Sequence, residues 1–213
     1  MSKLHVKSRS RFRTIQTAAA VRLPFPIHPQ MRLAQLSESA PAFGVLAGFR
    51  PESAIHLEGF SPNMLVGSTA DLQSLAEQVD LGTVDLSCVD HAVIVLTRCG
   101  ESPVSDVMRV VFWQVFGVPV FEIFTAPDDS ILGYECELHE GWHLAPGVEF
   151  SEMDGELILD AEGVCGLHTA LSGFISNDKC PCGREGPRLM DVQPLPRQQA
   201  TREEEGQRWA ATA

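Results

Sequence analysis

The spacing of hydrophobic residues changes character along this chain, and each change predicts a different element. Between Leu65 and Val79 the positions Leu72, Leu75, Ala76 and Val79 recur at helical spacing after an N-cap signal at Ser68 or Thr69, which predicts a helix. The segment His91–Thr97 is short, almost wholly apolar and rich in β-branched residues, as expected of a strand buried on both faces. A polar turn from Arg98 to Pro103 leads into a second helical stretch, Ser105–Phe116, ended by Gly117. There Val107, Val110, Val111, Val115 and the aromatics Phe112 and Trp113 are expected to face the core. Val118–Phe124 is a second buried strand. Strand, helix and strand joined by short connections predict a right-handed βαβ crossover on a parallel sheet. Beyond Asp129 the pattern breaks into short strands separated by Gly and Pro, at Ile131–Glu135, Trp142–Ala145 and Glu156–Asp160. The fold class expected is α/β, a parallel βαβ portion followed by a small β-rich, zinc-bound subdomain.

The same pattern divides the 213 residues into zones. Residues 1–30 form a basic arm, expected to be poorly ordered, that ends in the proline-broken stretch Leu23–Pro29. Residues 31–190 carry the patterned hydrophobicity, with 31–129 as the α/β part and 130–190 as the zinc-stapled part; 191–213 form a polar tail. With 44% hydrophobic residues the middle zone can bury a sizeable core. The net charge of −12 is unevenly placed: every acidic residue lies from Glu38 onward, while Lys3, Lys7, Arg9, Arg11, Arg13, Arg22 and Arg32 precede it. So acidic a body argues against nucleic-acid binding by the folded part. No apolar run reaches transmembrane length and no secretory signal is visible, so a cytoplasmic protein is expected. The acid-free, Arg- and Ser-bearing start also has the composition of an organelle transit peptide.

In a reducing compartment, cysteines read as thiols or metal ligands rather than disulfides. Cys136-Glu-Leu-His139 and, some forty residues on, Cys180-Pro-Cys182-Gly supply the soft ligands of a closed tetrahedral zinc site, Cys136, His139, Cys180 and Cys182. His143 is an alternative to His139. Four protein ligands leave no open position, so such a zinc is structural, and its binding energy becomes folding energy. Glu135, Glu137 and Glu140 around this pair, and Asp128-Asp129 before it, read as solvated loop carboxylates. Cys99, Cys88 and Cys165 read as plain thiols, and His91 and His168 as structural histidines. If Phe112 and Trp113 face outward, they mark a partner surface.

In their order and spacing, residues 48–190 resemble the adenylate-forming family, in particular its phenylacetate–CoA ligase branch. The resemblance rests on Phe49-Arg50-Pro51, Gly100-Glu-Ser-Pro103 through Arg109, Phe116–Phe124, Tyr134-Glu-Cys136 through His143, Gly155–Leu159 and Cys180-Pro-Cys-Gly-Arg184. It implies a ligase-like fold in which Gly100, Pro103 and Asp128 mark a vestigial ATP/AMP site and the cysteines hold metal. The departures are as informative. The family's Tyr-Gly-x-Thr/Ser-Glu falls on Phe124-Thr125-Ala126-Pro127-Asp128, with proline where a hydroxyl meets phosphate. Its ribose-binding aspartate falls on Phe174, which accepts no hydrogen bond. No Ser/Thr/Gly-rich phosphate loop is present, and nothing after Met190 resembles the family's lid with its catalytic lysine; Lys179, beside the cysteines, is a poor stand-in. The resemblance thus implies a catalytically inactive, zinc-stabilised binding or regulatory subunit. Its partner would be an intact ligase, a carrier protein or a missing half. The alternative is one half of a split ligase that activates a carboxylic acid with ATP together with a partner chain.

Overall fold

The computed structural model describes residues 59–195, 30–37 and 47–49, together with Leu23, Pro41 and Leu57; most of the basic arm and of the polar tail lies outside these. Five strands, β1 (Arg32–Gln35), β2 (Ala47–Phe49), β3 (Met64–Gly67), β4 (Ala92–Arg98) and β5 (Val120–Thr125), pair in parallel in the spatial order β2-β1-β3-β4-β5. Helix α1 (Thr69–Asp80) connects β3 to β4, and α2 (Asp106–Phe116) connects β4 to β5. The strand–helix–strand unit is therefore present, and a second one precedes it. The chain then reverses: β6 (Ile131–Glu135), β7 (Trp142–Leu144), β12 (Arg188–Pro194) and β11 (Leu171–Ser176) extend the same sheet antiparallel, giving nine strands among the described residues. A separate antiparallel sheet holds β8 (Glu149–Met153), β9 (Glu156–Ala161) and β10 (Val164–His168). The chain is a mixed α/β fold, with a parallel portion followed by antiparallel strands.

Period-2 alternation explains why β4 can sit in the middle. Val93 and Val95 pack toward the helices with Leu72, Leu75 and Phe112, while Ile94 and Leu96 face the opposite layer with Met64, Val66 and Ile123. A third cluster joins the two sheets: Leu157 and Leu159 of β9 pack with Phe124, Leu132, Trp142, Leu171 and Leu189.

The structure bears out the N-cap at Ser68 and corrects the inward face expected of α2. Leu65–Gly67 is strand, and the helix begins at Thr69. Ser68 Oγ accepts from the Asp71 N–H at 3.2 Å and Asp71 accepts from the Ser68 N–H at 3.3 Å, a reciprocal capping box. Ser37, from the loop after β1, donates to the same carboxylate at 2.6 Å, tying the cap to the sheet. Ser68→Ala is expected to lower stability by about 1 kcal/mol in urea unfolding, the usual worth of an N-cap. On α2, Phe112 and Phe116 are buried, but Val107 and Val110 point outward with Trp113. Gly117, at φ 70°, closes this helix in the left-handed conformation that glycine adopts without strain.

Candidate metal centre

The turn that leaves β6 and the segment that enters β12 converge on one point. Cys136 follows β6 directly, and its carbonyl accepts from the His139 N–H at 3.0 Å, closing a tight knuckle. The backbone then passes through Gly141, at φ 79°, so close to β12 that a Cβ there would sit 2.4 Å from the Leu189 carbonyl oxygen. Only glycine fits that approach. The second knuckle is closed by the Gly183 N–H on the Cys180 carbonyl at 3.0 Å. Between them β7 pairs His143 with Tyr134 on one side and Arg188 on the other.

These elements bring together Cys136, His143, Cys180 and Cys182, whose ligand atoms all lie within 4.8 Å of one another. Three of the four ligands expected from the sequence are in this group; His139 is not. Its ring stacks on Phe121 at 5.2 Å and its Nδ1 lies 3.4 Å from Glu135. A positive φ of 54° at His139 turns it out of the knuckle, while the β6–β7 register carries the buried His143 inward.

The geometry suits a tetrahedral ion. Cys136 and Cys180 sulfurs are 3.8 Å apart, and Cys182 Sγ is 3.4 Å from His143 Nε2. Metal–sulfur bonds of about 2.3 Å and a metal–nitrogen bond of about 2.0 Å at tetrahedral angles would require roughly 3.8 and 3.5 Å. Electrostatics point the same way. Burial, followed by hydrogen bonding with Cys180 and Cys182, pushes the Cys136 thiol up to about 11. For Cys180 burial acts upward too, but hydrogen bonds from Cys182 and Cys136 and the charge of Arg188 outweigh it and lower the thiol. Burial, reinforced by Arg184 and Arg188, lowers His143, keeping the imidazole neutral as a ligand must be. A divalent cation removes the barrier to ionising three adjacent thiols. Among the described residues, the buried side-chain N/O atoms without a hydrogen-bond partner are His143 Nδ1, Arg184 Nη1 and Arg188 Nε, all in this region.

The carboxylates around the knuckle are engaged. Glu137 pairs with Arg184 at 3.4 Å and Glu140 with Arg188 at 3.3 Å, so the two knuckles are also held by ion pairs. Glu135 is buried rather than solvated, and belongs to a network that the sequence reading missed. Arg109 of α2 donates to both its oxygens, at 2.9 and 2.6 Å, and to Glu122 of β5 at 2.9 Å. Glu122 also accepts from the Thr97 hydroxyl and the Val104 N–H. A lone Glu inside the apolar run Val118–Phe124 was the available signal: a buried carboxylate implies a buried partner.

The residues of the implied nucleotide site lie at the C-terminal ends of β4 and β5. Gly100 is in the turn after β4, Pro103 is half-buried just beyond it, and Asp128 is exposed in the turn after β5. An Arg98–Asp129 pair at 3.1 Å bridges these turns. Asp128 accepts from the hydroxyl and N–H of Ser130, which hold its carboxyl below the ordinary range. Phe174 lies on β11 with its ring about half exposed.

No protein-family model matches this chain, and no curated protein does. Solved structures do. Over 81% of the chain the fold superposes on an open conformation of 2-hydroxyisobutyryl-CoA ligase, in complex with 2-HIB-AMP and CoA, with a TM-score of 0.61 at 14% identity. A mutant form of coronafacic acid ligase from Pectobacterium brasiliense matches over 80% (TM-score 0.52, 11% identity). The anthranilate CoA ligase AuaEII, in complex with anthranoyl-AMP, matches over 67% (TM-score 0.50, 12% identity). The chain spans 46%, 40% and 34% of these proteins, less than half of each. Its fold resembles part of the fold of these ligases.

Proposed function

We propose that the chain is a zinc-stabilised, catalytically inactive relative of the phenylacetate–CoA ligase branch that serves as a binding or regulatory subunit. The observation that carries this reading is the contrast between its two sites. The cluster of Cys136, His143, Cys180 and Cys182 has the spacing and donor chemistry of a closed zinc site, which holds structure and leaves no position for substrate. At the strand ends, by contrast, an exposed proline, Pro127, falls where the resemblance to the ligase family implies a hydroxyl facing phosphate. Asp128 is committed to Ser130, and Phe174 offers a hydrophobic ring where ribose would need a carboxylate. Nothing in these groups would hold ATP or stabilise charge on a transferring acyl-adenylate. Zinc is favoured over harder cations because three thiolates and an imidazole are soft donors.

One observation favours a second reading, a split ligase: the matched enzymes are more than twice as long as the region this fold covers. The remaining portion, supplied by another chain, would bring the phosphate loop and the lid. Titrating ATP·Mg²⁺ calorimetrically into zinc-loaded protein separates the two when combined with acid-dependent ATP–pyrophosphate exchange. The inactive reading expects no binding heat at millimolar nucleotide and no exchange. One-to-one binding, or exchange on adding a partner chain, would establish an acid-activating enzyme instead.

A further inference from the structure

Helix α2 is amphipathic in an unexpected sense, for it has apolar residues on both sides. Its inner side, Phe112 and Phe116, fills the helix layer. Its outer side carries Val107, Val110 and Trp113, which are 72%, 51% and 59% exposed. These positions are three apart, so they form one stripe. The next residue at that spacing, Phe116, lines a groove of about 420 Å³ with Val84, Leu86 and Val115. Neighbouring α1, by contrast, exposes Gln73, Glu77 and Asp80, as a solvated helix does.

Charge defines what fits this stripe. Exposed acids stand at both ends of it: Asp106 begins α2 beside Val107, and Asp85 lines the groove, with Glu77 and Asp80 exposed on neighbouring α1. Between Arg50 and Arg184 the only cationic residues besides histidine are Arg98, Arg109 and Lys179. Arg109 is turned inward onto Glu122 and Glu135 and Arg98 is paired with Asp129, so α2 presents no cation of its own to a ligand. We infer that the outer face of α2 is a docking site for a basic amphipathic segment of a partner protein. The apolar side of that segment would cover Val107, Val110 and Trp113 and reach the groove, and its Lys or Arg residues would meet the acidic rim. Aromatic residues at the centre of an apolar patch contribute most of the affinity of such contacts, and complementary charge supplies orientation and rate. The inference rests on the reading of the chain as a binding subunit.

The test uses the full chain loaded with zinc and a short labelled peptide of leucine and lysine with the leucines at helical spacing, followed by fluorescence anisotropy. Binding is expected to weaken about tenfold with Val110→Asp and with Trp113→Ala, and about tenfold for a peptide with glutamate in place of lysine or with its leucines scrambled. Val107→Asp gives a third reading should one variant unfold, and thermal midpoints identify any that do. Equal binding by folded variants, or by the scrambled peptide, would overturn the inference. So would a dimer in sedimentation that Val110→Asp dissolves, which makes a second copy the occupant. A tenfold gain in affinity on deleting residues 1–22 would also overturn it, since the chain's own basic arm would then be the occupant. None of these readings involves nucleotide, so failure here leaves the pyrophosphate-exchange result to judge the inactive-subunit reading separately.

Discussion

Stripping the proposed zinc ion from the purified protein with a chelator is expected to unfold its antiparallel half and lower stability by several kcal/mol. Apparent binding energies of structural zinc in small domains are about 10–16 kcal/mol near neutral pH, and much of that becomes folding energy where no site exists in the unfolded chain. Here the ion would join the β6–β7 knuckle to the segment entering β12, two parts of the chain over forty residues apart. Without it three thiols, buried or half-buried, and a buried imidazole are left crowded together, and β12 is held by the ion pairs of Arg184 and Arg188, its ladder to β7 and β11 and the packing of Leu189. Calorimetry with and without chelator, with zinc content measured on the same samples, reads the effect directly. Trp142, buried and stacked on Phe124 at 4.6 Å, gives a near-ultraviolet signal from this half. His143→Ala is expected to weaken zinc binding by roughly a hundredfold or more, in line with losing one of four ligands, whereas His139→Ala should leave it within a few-fold. The reverse ranking would return His139 to the ligand set. A protein purified without metal and indifferent to chelator would remove zinc from the account altogether.

The choice between those two histidines shows how much was legible before the fold was known. Short-range features were readable: the apolar runs that became β4 and β5, the Ser68 cap, and the cysteine pairs at Cys136 and Cys180-Cys182. Each is decided within a few residues by sterics or hydrogen-bonding chemistry. His139 against His143 is decided by the pairing of β6 with β7, which places Tyr134 opposite His143, and register between strands is not written in local spacing. The outward turn of Val107 and Val110 was missed for a related reason. A helix with apolar residues on two sides has two self-consistent faces, and the larger Phe112 and Phe116 take the interior. Strands β8, β10 and β11 were hidden because their exposed or half-buried residues blur any alternation. The likeness to ligases was visible only as an order of short motifs, which agrees with a shared fold at 14% identity.

Replacing Arg109 with methionine is expected to cost about 3–5 kcal/mol, because it leaves two buried carboxylates facing each other with no cation. Glu122 and Glu135 have side chains only 2% and 5% exposed, and Arg109 is the guanidinium that bridges them. Even with that bridge in place, burial pushes Glu122 up to about 7, with the hydrogen bond from Thr97 working against it and the nearby Glu135 charge adding to it. The consequence for stability has a definite sign. An unfolded glutamate ionises near 4.5, so between that pH and about 7 the folded protein holds a proton the unfolded chain has released. Stability from this group is therefore complete below about pH 4.5 and falls as pH rises toward and through 7, by about 3 kcal/mol in total. Urea unfolding with zinc in excess from pH 6 to 8.5 reads this decline as the difference between wild type and Glu122→Gln, because zinc binding displaces thiol protons over the same range and raises the stability of both proteins with pH. Relative to wild type, Glu122→Gln should lack this decline, since the amide carries no charge at any of these pH values. In Arg109→Met the decline should continue to higher pH, because Glu122 loses the charge that favours its ionised form. A wild-type profile parallel to that of Glu122→Gln from pH 6 to 8.5, or an Arg109→Met protein as stable as the parent, would show that α2 is held to β5 and β6 by packing alone.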